Sequence, residues 1–252
     1  MKLLTLARDL KRRRARERQR LFVAEGVRAV EELVRSPLVV RGALVAPQLA
    51  DAPRGAALLD AIRQRGVELT EVDAATFASA AETDSPQGVL AIAEIPDQPL
   101  ESLALPERAR LVVLDAVQDP GNVGTILRTA AALGSTAVVA MPGTVDLWNA
   151  KVVRSAMGAL FHRPAIISTW PALDSFRDAH ALAIWGADAD GTPLEQLTAP
   201  ARLALLVGNE GAGLSDDGRA RMEQSVSLPI SADVESLNVA VATGIFLYQL
   251  RV

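Results

Sequence analysis

Apolar runs that alternate with helical patterns are the feature of this 252-residue sequence that most limits its fold. LVVLDAV (111–117) leads through a glycine loop into a helical pattern, and TAVVAMP, ALAIWGA and LALLVGNE repeat the scheme further along the chain. Strands that are apolar on both faces are typical of a parallel sheet covered by helices on both sides. From residue 111 onward we therefore predict an α/β fold with a mostly parallel sheet.

A smaller α/β unit is predicted ahead of that sheet. A strand, a glycine turn and a helix follow one another in LFVAEGVRAVEELV (21–34), and further strand and helix patterns continue to about residue 95. The proline-spaced, charged segment 96–110 is typical of a linker. We predict an N-terminal domain over 1–95 that begins with a basic helix over 1–20, a linker over 96–110, and a second domain over 111–252.

Composition limits the chemistry and the setting of the protein. There is no cysteine, which excludes disulfides, thiolate metal sites and cysteine nucleophiles. The longest apolar stretch without charge, residues 129–145, is interrupted by two glycines and a proline, which makes it a poor membrane span. The early segment is rich in arginine rather than apolar, unlike a secretory signal. We expect a cytoplasmic protein without membrane contact.

Charge is unevenly distributed along the chain. The net charge is −4, yet residues 1–20 hold nine Lys or Arg against two acidic residues. A basic block on an otherwise acidic protein indicates a local contact with a polyanion. A solvated helix that only aids solubility is the alternative.

The first of three polar clusters is DPGNVGTILRTAAALG (119–134). Gly121 and Gly124 permit a tight turn, and Asn122 is a good helix cap, so structure alone accounts for much of the stretch. It does not account for Arg128, which stands among small and apolar residues. Because helix N-termini attract anions and arginine binds phosphate bidentately, the pattern indicates a phosphate contact, with an ordinary turn into a helix as the alternative.

Two further clusters follow. LALLVGNEGAGLS (203–215) carries three glycines, Asn209 and Glu210 at the end of a buried strand, where ligands collect in open α/β sheets. A generic strand-to-helix loop is the alternative. In VSLPISADVESLNVAVATGIFLYQL (226–250), Ser236 is the predicted N-cap of the last helix. That helix is apolar all round, which predicts burial against a partner.

Taken together and in this order, the three clusters closely resemble the motifs of the SpoU/TrmH family of RNA ribose 2′-O-methyltransferases. The resemblance covers about residues 108–252, and KVVRSAMGALFHRP (151–164) is similar to the connecting segment of that family. The stretches FVAEGVRAVEELV and TDSPQGVLAIA resemble its N-terminal RNA substrate-binding domain, which has a ribosomal-protein-like α/β fold.

The resemblance implies a fold and a cofactor. It implies an α/β knot, in which the C-terminal part of the sheet is threaded as a trefoil and holds S-adenosylmethionine without a metal. The cofactor contacts that it implies are Gly208, Leu228 and Leu237, with Leu206, Val207, Asn209, Gly213 and Ile230 around them. It also implies a homodimer in which the last helix packs against its mate.

The resemblance further implies the residues that act on the methyl acceptor, a ribose 2′-hydroxyl. These are Arg128, Asn122, Glu210, Ser236 and Asn238. Because arginine is a very poor base, we assign Arg128 to gripping the adjacent RNA phosphate and stabilising the developing oxyanion. Asn122 and Asn238 would orient the ribose and Arg128, and Ser236 would shape the site. Glu210 is either one of the acting groups or a structural anchor.

RNA is also the polyanion that the basic N-terminus now indicates, with Arg12, Arg13 and Arg14 as predicted phosphate contacts alongside Arg128. The expected substrate is ribosomal RNA of the large subunit. A transfer-RNA methyltransferase and a non-catalytic RNA-binding or ribosome assembly factor are the alternatives. The two histidines, His162 and His180, are natural first guesses for a base. We assign His162 a packing or hydrogen-bonding role instead, and His180 lies outside every motif.

Overall fold

The structure is a computed structural model that describes residues 2–231 and 233–251. It consists of two compact units. The first holds the chain up to Asp97 together with Trp148–His162, and the second holds Gln98–Leu147 and the chain from Arg163 onward. The chain therefore leaves the second unit once, for fifteen residues, to complete the first, and no pattern in the sequence indicates this return.

The elements follow the alternation of strands and helices that the sequence predicts, apart from the basic N-terminus and the last strand. The helices are α1 (Lys2–Asp9), α2 (Arg13–Gln19), α3 (Val27–Arg35), α4 (Pro53–Gln64), α5 (Ala74–Ala80), α6 (Pro120–Ala132), α7 (Ala150–Ser155), α8 (Trp170–His180), α9 (Asp216–Arg219) and α10 (Val239–Leu250). The strands are β1 (Leu21–Glu25), β2 (Val40–Val45), β3 (Leu69–Glu71), β4 (Val89–Glu94), β5 (Ala109–Leu114), β6 (Ala137–Ala140), β7 (Ala165–Ile167), β8 (Ala183–Pro193), β9 (Arg202–Val207) and β10 (Gln224–Ser227).

The first unit is built on a four-stranded sheet in the order β1-β4-β2-β3. β4 runs antiparallel to both of its neighbours, and β2 and β3 are parallel. The returning segment packs against β1 through aromatic rings, because the Phe22 ring lies 4.5 Å from that of Trp148 and 5.7 Å from that of Phe161. Phe22 is fully buried. The segment 148–162 is therefore part of the hydrophobic core of this unit.

The basic N-terminus differs from the single helix predicted over residues 1–20. It forms two helices, α1 and α2, with Leu10–Arg12 between them. Arg16 is 4% exposed, and its guanidinium donates to the carbonyls of Leu10 at 2.7 Å and Lys11 at 2.9 Å. Part of the positive charge thus closes the helix junction instead of facing solvent.

The second unit is built on a six-stranded sheet in the order β10-β8-β9-β5-β6-β7, and every neighbouring pair is parallel. The predicted α/β class with a mostly parallel sheet is confirmed. β10 was not predicted, because QSVS is short and three of its four residues are polar. The trefoil threading stays a prediction, since strand order alone does not define a knot.

The predicted linker is only partly a linker. Leu100 is 2% exposed and belongs to the core of the second unit, and Leu103 and Leu105 pack against the same core. β5 begins at Ala109. Within residues 2–231 and 233–251 no helix has both the length and the apolar character needed to cross a bilayer.

The last helix is fixed at both ends. Asn238 is its N-cap, because Asn238 Oδ1 accepts from the N–H groups of Ala240 at 2.9 Å and Val241 at 3.3 Å. The prediction that Ser236 is the cap was therefore wrong. At the other end the buried Arg110 donates from Nε to the carbonyl of Leu250 at 2.7 Å, and burial lowers the pKa of this guanidinium.

Candidate active site

A cavity of about 340 Å³ lies in the second unit beyond the carboxyl end of β9. All three polar clusters of the sequence meet at or beside it. Its lining is Ala187, Asp188, Ala189, Val207, Gly208, Asn209, Glu210, Gly213, Leu228, Ile230, Ser236, Leu237, Asn238, Val239, Ala242 and Phe246. The size and the mostly apolar wall with a few polar groups are typical of a small-molecule site.

A chain of hydrogen bonds joins three polar side chains beside this cavity. Asn238 Nδ2 donates to Asn122 Oδ1 at 2.9 Å, and Asn122 Nδ2 donates to Glu210 Oε1 at 2.9 Å. Both ends of the Asn122 amide are therefore engaged, which fixes its orientation. The three residues come from three separate motifs, so this chain couples α6, the β9 loop and α10.

Local hydrogen bonds also position Asn122 and Glu210 within this hydrogen-bonded series. Asp119 caps α6, because its Oδ1 accepts from the N–H of Asn122 at 2.8 Å. Glu210 also accepts from the backbone N–H groups of Gln118 at 3.4 Å and Asp119 at 3.3 Å. Burial raises the pKa of the Glu210 carboxyl, but the bonds from Asn122 and the backbone outweigh it and hold this pKa below its ordinary value.

Asn209 organises the loop that follows β9. Its backbone pairs with that of Gly213 in both directions, at 2.8 and 2.9 Å, and its Oδ1 accepts from the N–H groups of Gly211 and Ala212. Its Nδ2 donates to the carbonyl of Ala116 at 2.9 Å. One side chain thus shapes the turn and ties it to the segment after β5.

Two residues next to this loop, Gly208 and Asp115, fix its shape. A Cβ on Gly208 would lie 2.3 Å from backbone atoms of Gly213, so only glycine fits there. The buried carboxylate of Asp115 accepts from the N–H of Ser215 at 2.7 Å and holds the far end of the loop. The second cluster is therefore a rigid ring of backbone that faces the cavity.

Asp188 is a lining residue that the sequence analysis missed. Its Oδ2 accepts from Arg219 Nη1 at 2.6 Å, and its Oδ1 accepts from the N–H of Asp190 at 3.2 Å. Burial raises the pKa of Asp188, but the bonds from Arg219 and the backbone outweigh it, so the net pKa lies below its ordinary value. An ionised carboxylate thus borders the cavity. The signal for it was an acidic residue directly after the apolar run ALAIWGA.

The structure brings most of the predicted catalytic and cofactor-binding residues together, with two exceptions. Leu206 lies in the core of the sheet with no exposed side-chain surface and does not line the cavity. Arg128 is exposed on α6, six residues beyond Asn122, which corresponds to a rise of about 9 Å along the helix. It is not among the lining residues of the described chain. The further lining residues that were not predicted are Ala187, Ala189, Val239, Ala242 and Phe246.

The predicted phosphate contacts of the N-terminus lie in the first unit. Arg12 and Arg13 are exposed but paired, Arg12 with Asp9 and Arg13 Nε with Glu17 Oε1 at 2.7 Å. Arg14 is exposed on α2. The three arginines thus share one short basic surface, on which two of them already have acidic partners.

Neither histidine lines the cavity. His162 belongs to the first unit, where its Nε2 lies 3.2 Å from Glu32 Oε2, which agrees with a hydrogen-bonding role. His180 ends α8, where its ring lies 4.3 Å from that of Phe176. Among the described residues there is also no group of three or more His, Asp or Glu side chains arranged to hold a metal ion.

Comparison with protein families matches both halves of the chain. Residues 109–248 match the SpoU rRNA Methylase family, and residues 5–91 match the MRM3-like substrate binding domain. The first range carries all three clusters that meet at the cavity.

Individual relatives match nearly the whole chain. The 23S rRNA (guanosine(2553)-2′-O)-methyltransferase RlmP of Bacillus subtilis is 33% identical over 240 residues, which cover 95% of this chain and 92% of the relative. The 23S rRNA (guanosine-2′-O-)-methyltransferase RlmB of Haemophilus ducreyi is 33% identical over 77% of this chain and 82% of its own.

A solved structure of a methyltransferase is also similar to this chain over almost its whole length. The SpoU methyltransferase AviRb of Streptomyces viridochromogenes, in complex with the cofactor AdoMet, superimposes with a TM-score of 0.90 at 28% identity, over 98% of this chain and 96% of its own.

Proposed function

Because this chain belongs to the SpoU rRNA methylase family, we propose that it transfers a methyl group from S-adenosylmethionine to a ribose 2′-hydroxyl of large-subunit ribosomal RNA. The names of the relatives RlmP and RlmB support the reaction and the substrate class. The observation that carries the proposal is the hydrogen-bonded chain of Asn238, Asn122 and Glu210 beside a cavity of cofactor size.

The cavity residues fit the proposed cofactor. Leu228, Ile230, Leu237 and Phe246 offer an apolar wall to an adenine ring, and the rigid backbone ring around Gly208 offers N–H and C=O groups to its edge. S-adenosylmethionine carries a positive sulfonium, ribose hydroxyls and an ammonium, all of which suit the ionised carboxylate of Asp188. When bound, the cofactor supplies an electrophilic methyl group.

Glu210 serves as an anchor in this proposal. A carboxylate with a lowered pKa is a weak base, so Glu210 is poorly suited to take the hydroxyl proton. Its oxygens instead accept from the Asn122 amide and from backbone N–H groups. Of the two roles left open by the sequence, the contacts favour positioning, and Asn122 and Asn238 are the groups held in place to orient the ribose.

Arg128 is the proposed phosphate contact. Its guanidinium stays charged at any pH of interest and presents a planar fork that matches a phosphate. Gripping the phosphate next to the target ribose would both place the 2′-oxygen and stabilise its developing negative charge. The proton would then leave through phosphate or water. Ser236 lines the cavity and would help to shape the site.

We also propose that the protein is a homodimer through α10. One face of this helix packs on α6 so closely that a Cβ on Gly244 would lie 3.3 Å from Thr129 Cγ2. The neighbouring face leaves Val241 52%, Ile245 38% and Tyr248 58% exposed along a groove that Thr125, Thr129 and Gly244 complete. An apolar groove beside an exposed apolar helix face is typical of an interface between copies.

Transfer of labelled methyl from S-adenosylmethionine to ribosomal RNA and, separately, to transfer RNA tests the substrate. Label in ribosomal RNA alone supports the proposal, and label in transfer RNA alone favours the alternative substrate. Cofactor binding without label in either pool favours the non-catalytic assembly factor. The cytoplasmic location expected from the sequence stays a prediction.

A further inference from the structure

A second cavity, of about 620 Å³, lies wholly within the first unit. Its walls come from the turn between β1 and α3, the start of α4 with the residues before it, the turn before β4, and α7 with the residue pair that follows it. This volume is within the range of small-molecule sites, roughly 300–1,000 Å³. The site proposed for methyl transfer makes no use of it.

Hydrogen bonds between chain segments hold the walls of this cavity together. Glu25 is 5% exposed, and its carboxylate accepts from the N–H groups of Glu82 at 2.7 Å and Thr83 at 3.3 Å and from the hydroxyl of Thr83. Gln87 Oε1 accepts from the N–H of Val27 at 2.8 Å. The stretches FVAEGVRAV and TDSPQGV are thereby tied to each other, so the cavity is formed before any ligand arrives.

Positive charge converges on the cavity. Arg28 on α3 and Arg154 on α7 line it and are exposed, and no described residue forms a hydrogen bond or a salt bridge with either side chain. A third arginine, Arg54, is held by Glu31 in a bidentate pair, in which Nε donates to Oε1 at 2.8 Å and Nη2 donates to Oε2 at 2.5 Å. The first two guanidinium groups therefore keep their hydrogen-bond donors for an outside ligand. Arg28 is also attracted to the carboxylate of Glu31, whose pKa is lowered by the hydrogen bond from Arg54 and, to a lesser extent, by this attraction.

The basic surface at the N-terminus has fewer side chains available to bind a phosphate than its charge suggests. Arg12 and Arg13 have acidic partners, and Arg16 is buried against backbone carbonyls. Lys11 Nζ donates to the carbonyl of Ala81 at 2.7 Å and ties the junction between α1 and α2 to the residue that follows α5. Many basic side chains of this segment therefore stabilise the fold through contacts within the protein.

The lining of the cavity contains both apolar and polar side chains. Leu49 is buried, Ala52 is exposed at the start of α4, and Met157 is 36% exposed. Gln48 and Ser85 add an amide and a hydroxyl that can donate to or accept from the edge of a base. Apolar side chains next to arginines suit a flat base that carries a phosphate.

We propose that this cavity receives one unstacked nucleotide of the substrate RNA, with its phosphate on Arg28 and Arg154 and its base on Leu49, Ala52 and Met157. This inference rests on the proposed ribosomal RNA substrate. Arginine forks match phosphate geometry, and proteins that recognise RNA commonly hold splayed-out bases. The match of residues 5–91 to a substrate binding domain supports RNA over a protein partner as the occupant.

The returning segment 148–162 supplies part of this cavity. Arg154 and Met157 lie outside residues 5–91 and reach the first unit only through 148–162. A fragment of the N-terminal residues alone would lack one of the two phosphate contacts. The test therefore needs the full chain.

The experiment measures binding of the full-length protein to a 23S rRNA transcript and to a fully paired RNA duplex, at several salt concentrations. The charge variant is Arg28→Gln with Arg154→Gln. Ala52→Trp fills the cavity from α4 without changing its charge, and Ser85→Trp fills it from another wall in case Ala52→Trp fails to fold. The matched control is Arg63→Gln, an arginine on α4 with a 57% exposed side chain that does not line the cavity.

The charge variant is expected to raise the Kd for the transcript about tenfold or more and to reduce the salt slope by about 1, because both arginines hold the same phosphate. The filling variants raise the Kd for the transcript and leave that for the duplex unchanged. Arg63→Gln changes either Kd less than about twofold. Cofactor binding, measured by calorimetry, stays unchanged in all of them because the cofactor site lies in the other unit.

Equal losses on transcript and duplex would overturn the nucleotide site, because general electrostatic attraction would explain them. An unchanged Kd for the transcript would also overturn it and would favour a protein partner at this cavity. These outcomes are separable from failure of the proposed function, in which the wild-type protein binds the transcript through the cavity yet methylates no ribose.

Discussion

The side-chain amide of Asn122 donates to a carboxylate oxygen of Glu210 across 2.9 Å, although the two residues are 88 positions apart. The same amide accepts from Asn238 at 2.9 Å. A residue near the start of α6 is thus held from two sides by the loop after β9 and by the N-cap of α10. The arrangement matters for function because it fixes the orientation of the Asn122 amide beside the cavity that Glu210 and Asn238 line.

Substitution of Asn122 should separate catalysis from cofactor binding. We expect Asn122→Ala to lower kcat for methyl transfer by about a hundredfold, because misplacing a reacting group by about 1 Å costs that much. The Kd for S-adenosylmethionine should stay nearly unchanged. Steady-state kinetics and calorimetry measure the two quantities.

A double-mutant cycle checks that Asn122 and Asn238 act as one unit. If they do, the combined variant loses less activity than the two single losses multiplied. Ser175→Ala on α8, an exposed serine of the same unit whose hydroxyl bonds to the carbonyl of Pro171, is the control with unchanged activity. Fully independent losses at the two asparagines would contradict the coupling.

Asp188 is expected to accept a hydrogen bond from the ribose of the cofactor. Asp188→Asn keeps the shape and removes the charge, so the Kd for S-adenosylmethionine should rise about tenfold, since hydrogen bonds to charged groups contribute about 1.5–3 kcal/mol. The same rise is expected for 5′-methylthioadenosine, which keeps the ribose and lacks the amino acid portion. Isothermal calorimetry measures both ligands.

Two results would contradict that role. A rise for S-adenosylmethionine alone would place Asp188 on the ammonium instead. An equal rise in Arg219→Gln, which breaks the 2.6 Å contact and leaves the carboxylate in place, would show that the ion pair matters only for the structure.

Stability should depend on pH through Glu210. The pKa of this carboxyl is lowered in the folded protein, so the unfolded chain binds its proton first as the pH falls. The stabilisation is therefore present above the unfolded pKa, about 4.3, and is lost as the pH falls through the folded value. Urea unfolding of the wild type and Glu210→Gln at pH 7 and below about pH 4 measures it. The gap between the two proteins should narrow in acid, and a gap that widens would contradict the assignment.

Dimerisation should fail when the exposed face of α10 is charged. Ile245→Asp places a carboxylate in an apolar contact, which costs several kcal/mol when the charge is left unpaired. Analytical ultracentrifugation should show a dimer for the wild type and a monomer for this variant. Ile167→Asp, at a 63% exposed position on β7, is the control that stays dimeric. A monomeric wild type would contradict the interface.

Residue periodicity predicted the central strands of the six-stranded sheet but not its edge strand β10. β5 and β9 are buried apolar runs, and their pattern alone indicated parallel strands. β10 is only QSVS, and it pairs with β8 through a register shift between Ser225 and Val226. A strand whose pairing depends on a neighbour distant in sequence leaves almost no local signal.

The sequence located the site better than it assigned the roles within it. Ser236 and Asn238 are both good caps two positions apart, and tertiary contact decides between them because Asn238 also bonds to Asn122. Asp188 was missed because a polar residue after an apolar run looks like an ordinary loop. The return of 148–162 to the first unit depends on aromatic packing with Phe22, which no local pattern encodes.

Nucleoside analysis by mass spectrometry tests the central claim most directly. Ribosomal RNA is incubated with the protein and S-adenosylmethionine that carries a trideuterated methyl group, then digested to nucleosides. The account predicts a single 2′-O-trideuteromethyl nucleoside, which is lost in Asn122→Ala. Label on a base instead of a ribose, or no label from a protein that binds the cofactor, would contradict it.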